Sequence, residues 1–251
     1  MPVHVEMTPE RKAARRWLVR RGILPLYEDN HVLCLAKPAG LLSQPGPPGE
    51  VSLPDVLASY RQHAESKPGP GWIGIVHRLD RNVSGAMVVA KTSKAAGRLS
   101  KLFRDRSPEL KKIYFAWVEH IPEAREGKLV HRLRRESGIT RLAGDGDPDG
   151  REARLRYAVV ATGFHAGIKT ARVEVHLETG LSHQIRAQFS IAGHPLVGDA
   201  KYGSPQAKRV ALHASTLVFP HPVGGEVVTV GAPVPEDLVQ IDARLQMDPP
   251  V

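Results

Sequence analysis

His77-Arg78-Leu79-Asp80-Arg81-Asn82-Val83-Ser84-Gly85 lies between two apolar runs, Ile73-Gly74-Ile75-Val76 before it and Ala86-Met87-Val88-Val89-Ala90 after it. Both runs are short and rich in β-branched residues, so they read as buried strands. The polar nonapeptide between them then forms a loop at the edge of a sheet. It carries one carboxylate, Asp80, flanked by Arg78 and Arg81. A nearby positive charge favours the ionised form of an acid, which suits a nucleophile or general base and not a general acid. Taken alone, the loop is far better read as an aspartate in a surface salt bridge, because such pairs are common and weak.

Composition narrows the choice. A chain of 251 residues makes one large domain or two small ones, and 41% hydrophobic residues suit a globular protein with a sizeable core. No apolar run has transmembrane length, and Glu6 and Glu10 precede any apolar stretch, unlike a secretory signal. The single cysteine, Cys34, sits in the apolar run Val32-Leu33-Cys34-Leu35-Ala36, so it reads as a buried, inert thiol. A cytoplasmic location is the expectation. The net charge of +9 and the pI of about 9.8 attract polyanions, nucleic acid above all, although proteins from GC-rich genomes can also be simply Arg-rich. At 5% aromatic residues, a base-stacking platform is disfavoured.

Outward from the loop, the chain alternates helical and strand patterns without a regular βα repeat. Thr8-Pro9-Glu10 starts a helix running to about Gly22 that carries Arg11, Lys12, Arg15, Arg16, Arg20 and Arg21. This charge run reads either as a solvated face or as an RNA-backbone contact. Strands follow at Ile23 to Leu26 and His31 to Ala36, with a Glu28-Asp29-Asn30 turn between them, and Lys37-Pro38-Ala39-Gly40 ends the second. Ser52 with Asp55 makes a capping box for a helix burying Leu53, Val56, Leu57 and Tyr60. Thr92 caps another, with Ala95, Leu99, Leu102 and Phe103 on its apolar face.

Lys111 to Glu119 is a strand, with Tyr114, Ala116 and Val118 on one face. Glu123 to Glu152 has no regular pattern. Its Gly144-to-Gly150 acidic run lacks EF-hand spacing and reads as a hairpin loop rather than a calcium loop. Arg154 to Ala161 pairs with Ala171 to Leu177. Ser182 caps a helix ending at Gly193, with Ile185, Phe189 and Ala192 buried. Pro195 to Gly203 is a turn-rich loop. Strands Leu212 to Phe219 and Val227 to Val230 precede a Pro-rich tail. The order predicts an α+β fold with a largely antiparallel sheet, made of a basic helical extension over residues 1–22 and a single domain over 23–251.

Ser182-His183-Gln184-Ile185-Arg186 is the second chemical cluster. A cation in the first turn of a helix opposes the macrodipole, so Arg186 calls for an anionic partner, which need not be local. His77, His183 and His194 show no metal-ligand spacing, and no phosphate-binding Gly loop or G-x-S-x-G is present.

At this point the blocks resemble those of RluA-type pseudouridine synthases. His77-Arg78-Leu79-Asp80-x-x-Val83-Ser84-Gly85 is similar to their H-R-L-D-x-x-T-S-G signature. Lys37-Pro38-Ala39-Gly40, Lys112-x-Tyr114-x-Ala116-x-Val118 and Thr179-Gly180-Leu181-Ser182-His183-Gln184-Ile185-Arg186 resemble further blocks in the family's order. Gly193-His194-Pro195-Leu196-x-Gly198-Asp199-x-x-Tyr202-Gly203 and Leu212-His213-Ala214 complete it, over roughly residues 23 to 235. Val83, Leu181, Ser182 and Gln188 depart from the usual Thr, Arg, Thr and His.

The resemblance implies a bent, mixed, largely antiparallel sheet with flanking helices and a central RNA-binding cleft. It also implies isomerisation of uridine to pseudouridine in rRNA or tRNA, with no cofactor and no metal. Asp80 would be the catalytic carboxylate, Arg186 its partner, and Tyr114 the residue on the uracil ring. Arg78 and Arg81 would hold RNA, His77 and Leu79 would belong to the binding loop, and Ile185 and Leu212 would wall the pocket. The form is expected to lack an S4 domain, since about twenty residues precede Ile23, and to be monomeric and free of membrane. Two other readings stay open at this stage. One is a non-catalytic RNA-binding or ribosome-assembly protein on the same fold. The other is a carboxylate glycosidase, for which only Glu178 and Asp199 in the matched blocks offer a second acid, both in turn contexts.

Overall fold

The computed structural model describes residues 6–66, 68–204, 209–242 and 245–247. In chain order the elements are α1 (Pro9–Val19), β1 (Leu24–Glu28), β2 (Val32–Lys37), α2 (Leu53–Ala64), β3 (Gly74–Ile75), β4 (Ser84–Ala90) and α3 (Ser93–Asp105). Then come β5 (Lys111–Glu119), β6 (Glu126–Glu136), β7 (Ile139–Leu142), β8 (Arg151–His165), β9 (Ile168–Leu177) and α4 (Gln184–Ile191). The chain ends with β10 (Leu212–Pro220), β11 (Val227–Gly231), α5 (Glu236–Asp242) and β12 (Leu245–Met247). It is an α+β protein with a mixed, largely antiparallel sheet. Among the described residues, no helix is long and apolar enough to cross a membrane. The residues fall into two compact units, Met1–Lys111 with Ser215–Pro233, and Lys112–Ala214 with Val234–Val251.

In the first unit, β2 pairs with β1 on one side and with β4 on the other. Every residue of β4 is buried, as its unbroken apolar run requires. The register sets Lys37 opposite Gly85, so the end of β2 meets the end of the polar loop. Val32, Cys34, Val88, Ala90, Leu99, Leu217, Phe219 and Val230 form one core cluster. Burial pushes the Cys34 thiol well above its ordinary pKa. The three helix starts follow their caps. Thr8 Oγ1 accepts from Arg11 N, Thr92 Oγ1 from Ala95 N, and Asp55 bonds back to Ser52 N at 2.9 Å.

Several expectations change. β3 holds only Gly74 and Ile75, because the ring of His77 takes over the next ladder position: its Nε2 accepts from Val88 N at 3.0 Å. α1 stops at Val19, and Gly22 (φ +74°) turns the chain into β1. Glu28, expected in a turn, closes β1 and is buried. Its carboxylate accepts from Lys91 Nζ at 2.9 Å and from Tyr60 Oη at 2.7 Å, and Arg15 and Arg11 reach it at 3.5 and 3.7 Å. A buried acid is tolerated only when paired and hydrogen-bonded, and these partners come from α1, α2 and the end of β4.

In the second unit, β5 pairs with β9, β9 with β8, and β8 with β6 and β12, while β7 edges β6. The region 123–152, which has no period in sequence, contains the eleven-residue strand β6 and the hairpin to β7. β6 carries polar residues on both faces, so it shows no hydrophobic alternation, and cross-strand pairing with β8 holds it. Gly144 to Gly150 is a crossover from β7 to β8 that passes β6 at Arg132 and Leu133, not a hairpin loop. Arg132 Nη2 donates to the carbonyls of Asp147 and Gly150 there. The stretch expected as a Pro-rich tail holds α5, whose Leu238 and Ile241 pack with Trp117; residues 248–251 lie outside the described ones.

Glu28→Ala would take the nearest carboxylate from the buried Lys91 ammonium, leaving it the Asp29 carbonyl at 2.7 Å and Glu65 at 3.6 Å, and equilibrium urea unfolding is expected to show a loss of about 3–5 kcal/mol. Cys34 should stay unlabelled by a thiol reagent in the native protein and react fully in denaturant.

Candidate active site

Asp80 sits half-buried between two clamped neighbours in the first unit. On one side, Leu79 is held by Ser43, whose hydroxyl donates to Leu79 O at 2.6 Å while Leu79 N lies 3.2 Å from the same oxygen. On the other, the carbonyl of Arg81 accepts from Gly40 N at 2.8 Å and from Lys37 Nζ at 3.1 Å. Lys37 is 1% exposed, and its ammonium also donates to the carbonyls of Pro38 and Leu41, both at 2.8 Å. Within the loop, Val83 N donates to Asp80 O at 3.0 Å. Gly40 (φ +88°) and Gly85 (φ +130°) take up the left-handed turns at the two ends of this clamp, where other residues would be strained.

The arginines beside Asp80 point elsewhere. Arg78 Nη1 donates to Gln44 Oε1 at 2.9 Å, and Arg81 bonds Gly40 O and Glu50 at 3.1 and 2.8 Å. Both are exposed. His77 lies in the framework, stacked on Phe103 at 4.3 Å between centroids and 7° between planes. Its Nε2 is occupied as an acceptor, which places its ring proton on Nδ1.

In the second unit, Tyr114 stands on β5 opposite Val175, on the strand face it shares with buried Ala116 and Val118. Lys112 Nζ lies over Gly180, where an added Cβ would meet it at 3.0 Å. Ile185 and Leu212 are each 4% exposed.

Arg186 is 8% exposed and grips Asp199 with two parallel bonds, Nε to Oδ2 at 2.6 Å and Nη2 to Oδ1 at 2.8 Å. This fork is the strongest geometry available to such a pair, and it gives the cation at the helix start an anion thirteen residues away. The guanidinium also lies 5.0 Å from the ring centre of Tyr202. Tyr202 Oη accepts from Thr140 N at 2.8 Å and lies 3.0 Å from His183 Nδ1. Burial raises the phenol's pKa, so it stays a protonated hydrogen-bonding group at neutral pH.

The start of α4 departs from expectation. The cap position is His183, in the left-handed region (φ 53°), and Ser182 instead accepts from Arg135 at 2.9 Å. No side chain caps the helix start, and the side chain of Gln184 instead holds the turn that precedes it. Its Oε1 accepts from Leu181 N and Thr179 Oγ1 at 3.0 and 2.8 Å. Gln188, fully buried, donates to the carbonyls of Leu129 and Ala153. Ala192, expected in the buried face, is exposed just past the last turn. Among the described residues, no group of three or more His, Cys, Asp or Glu could hold a metal ion.

Sequence reading left Lys37, Ser43, Asp199 and Tyr202 without roles at the site. A signal existed for three of them: Lys37 lies in the matched K-P-A-G block, and Asp199 and Tyr202 lie in the G-D-x-x-Y block. Nothing local marks Ser43.

Comparison with known proteins follows the same blocks. Residues 31–191 match the family model described as RNA pseudouridylate synthase. The chain is 37% identical over 223 residues to the uncharacterized RNA pseudouridine synthase slr1629 of Synechocystis, covering 84% of this chain and 65% of that protein. It is 36% identical to the dual-specificity RNA pseudouridine synthase RluA of Escherichia coli K12, covering 83% and 91%, respectively. To the ribosomal large subunit pseudouridine synthase D of Xanthomonas campestris it is 37% identical, covering 89% and 69%. The solved structure of human RNA pseudouridylate synthase domain containing 4 superposes with a TM-score of 0.74 at 24% identity, over 95% of this chain and 98% of that one.

Lys37→Met would remove the ammonium donor from the Pro38, Leu41 and Arg81 carbonyls, of which, among the described residues, only Arg81 O keeps another donor, Gly40 N. The expected result is faster hydrogen exchange at the Gly40 and Val83 amides and a stability loss of at least about 1–3 kcal/mol.

Proposed function

Because the chain belongs to the RNA pseudouridylate synthase family, we propose that it isomerises uridines of rRNA or tRNA to pseudouridine with Asp80 as the catalytic carboxylate. The observation that carries this is the loop itself. The family's H-R-L-D block is intact, and Ser43, Gly40 and Lys37 hold the residues on both sides of Asp80. A carboxylate fixed by its neighbours' backbone meets a substrate without first being ordered, which lowers the entropic cost of reaction.

The target base leaves its stack to reach the site. The glycosidic C1′–N1 bond then breaks, the uracil turns, and C5 bonds to C1′. C5 loses its proton and N1 gains one, so the reaction is balanced without redox change. Asp80 acts on the sugar, either at C1′ as nucleophile or at C2′ as base, and both roles use the ionised carboxylate. Tyr114 packs on the uracil, with its phenol available for the C5 proton. Arg186, braced by Asp199, is the cation that accompanies Asp80 in this chemistry, while Ile185 and Leu212 form apolar wall. Arg78 and Arg81 bind the RNA by exchanging Gln44 and Glu50 for phosphate oxygens. In this reading the enzyme is a cytoplasmic monomer that needs no metal.

A glycosidase would need a second, protonated acid. Asp199 is committed to Arg186, and the Glu178 carboxyl is held below its usual range, first by the hydrogen bond from Arg156.

In a tritium-release assay on uridine-labelled RNA, Asp80→Asn should abolish turnover while RNA affinity stays near wild type. If the wild-type chain binds RNA yet forms no pseudouridine, the non-catalytic reading replaces this one. Arg186→Ala should lower kcat by about 10²-fold or more, with Arg186→Lys restoring only part of it, since a lysine cannot reproduce the fork to Asp199. Wild-type kcat in Arg186→Ala would remove Arg186 from the chemistry.

A further inference from the structure

The six basic residues between Arg11 and Arg21 do not share one fate. Arg11 and Arg15 turn inward to the buried Glu28. Arg21 lies over the Trp17 ring at 3.8 Å, and His63 stacks near that ring at 6.3 Å. Lys12, Arg16 and Arg20 remain exposed, and the described residues give them no ion-pair partner. On β6 and β8, half-buried Arg134 and Arg154 and exposed Arg156 each have a carboxylate within 3.4 Å, while exposed Arg132 bonds backbone carbonyls and exposed Arg135 bonds Ser182.

Lys12, Arg16 and Arg20 lie four residues apart, so they form a stripe down one side of the helix, stepping about 6 Å along its axis each time. Like charges at this spacing weaken a helix, and Lys12 near the N-terminus also opposes the macrodipole. No acid stands at Thr8 or Leu24 to relieve the stripe. The stripe rides on a fixed support, since Ala14 and Leu18 are buried and α1 packs on α2.

We propose that this face of α1 is a contact for the phosphate backbone of the RNA substrate, separate from the Asp80 loop; the inference rests on the family's RNA reading. A regular row of unpaired cations on a rigid rod suits a polyphosphate strand. An anionic membrane is the poorer fit, because a helix lying on lipid turns an apolar face outward. Here the apolar face is spent on the unit's own core, and Trp17 is covered by Arg21 and His63.

The test compares the full chain with the triple variant Lys12→Gln, Arg16→Gln, Arg20→Gln, and with the charge-keeping variant Lys12→Arg, Arg16→Lys, Arg20→Lys. Affinity for a substrate transcript is measured across a salt titration, together with kcat and KM. The neutral variant should show a shallower slope of log affinity against log salt, by roughly 2 to 3, at about 0.7–0.9 per phosphate contact. Its KM should rise with kcat unchanged, and the charge-keeping variant should restore both slope and KM. An unchanged slope overturns the proposal, whether KM stays the same or rises through loosening of the fold. So does a result in which only binding to phosphatidylserine vesicles is lost. A slope that falls in the neutral variant of a protein that makes no pseudouridine would uphold the contact while refuting the catalytic reading.

Discussion

A lysine ammonium buried among backbone carbonyls governs the first unit. Lys37 has three donors, and the carbonyls of Pro38, Leu41 and Arg81 each take one. Two of those acceptors belong to its own turn and the third to a loop 44 residues later. A charged group can be kept out of water only when its donors are satisfied, so the desolvation of Lys37 is offset only while both loops stay in place. Local structure and catalytic geometry are thereby coupled. The β2–β4 register that sets Lys37 opposite Gly85 is also the register that brings the ammonium to the Arg81 carbonyl. Asp80 needs no direct support from this lysine to be positioned by it, because its backbone is held at both neighbours.

The same physics recurs at Glu28, where the buried charge is negative. Its partners come from three elements, so α1, α2 and the end of β4 are joined through one carboxylate. Such a network gives uncertain net stability compared with an apolar core. It does penalise any packing in which one partner moves away, and that makes α1 a fixed part of its unit. The inward arginines of α1 do this work, which is why its outward cations are left to serve something else.

In the second unit the dominant constraint is at the start of α4. Six consecutive residues there, Gln184 to Phe189, are buried, and three of them are polar. Each has its requirement met from outside the helix: Gln184 caps the preceding turn, Arg186 takes Asp199, and Gln188 fills donor positions toward β6 and β8. Gln188 suits two backbone carbonyls that need N–H donors. Leu181 packs against Leu133, Ala153, Ala187 and Tyr202.

Much of the fold was legible in the chain because local rules governed it. The caps at Thr8, Ser52 and Thr92, the buried run of β4 and the strand at Lys111–Glu119 follow from residue type and period. The hairpins at Ser137-Gly138 and Ala166-Gly167 were not read, although a glycine in second place supports the positive φ that two-residue turns need, because the polar faces of the strands around them hid the signal. For the site, sequence supplied the chemical inventory: an aspartate between arginines, a tyrosine on a strand, an arginine at a helix start. It could not supply partners. That Lys37 holds the Arg81 carbonyl, that Asp199 takes Arg186, and that Arg11 and Arg15 face inward while Lys12, Arg16 and Arg20 face water depend on contacts between residues far apart in the chain. Burial decides which charges must find such partners, and burial belongs to the tertiary structure alone.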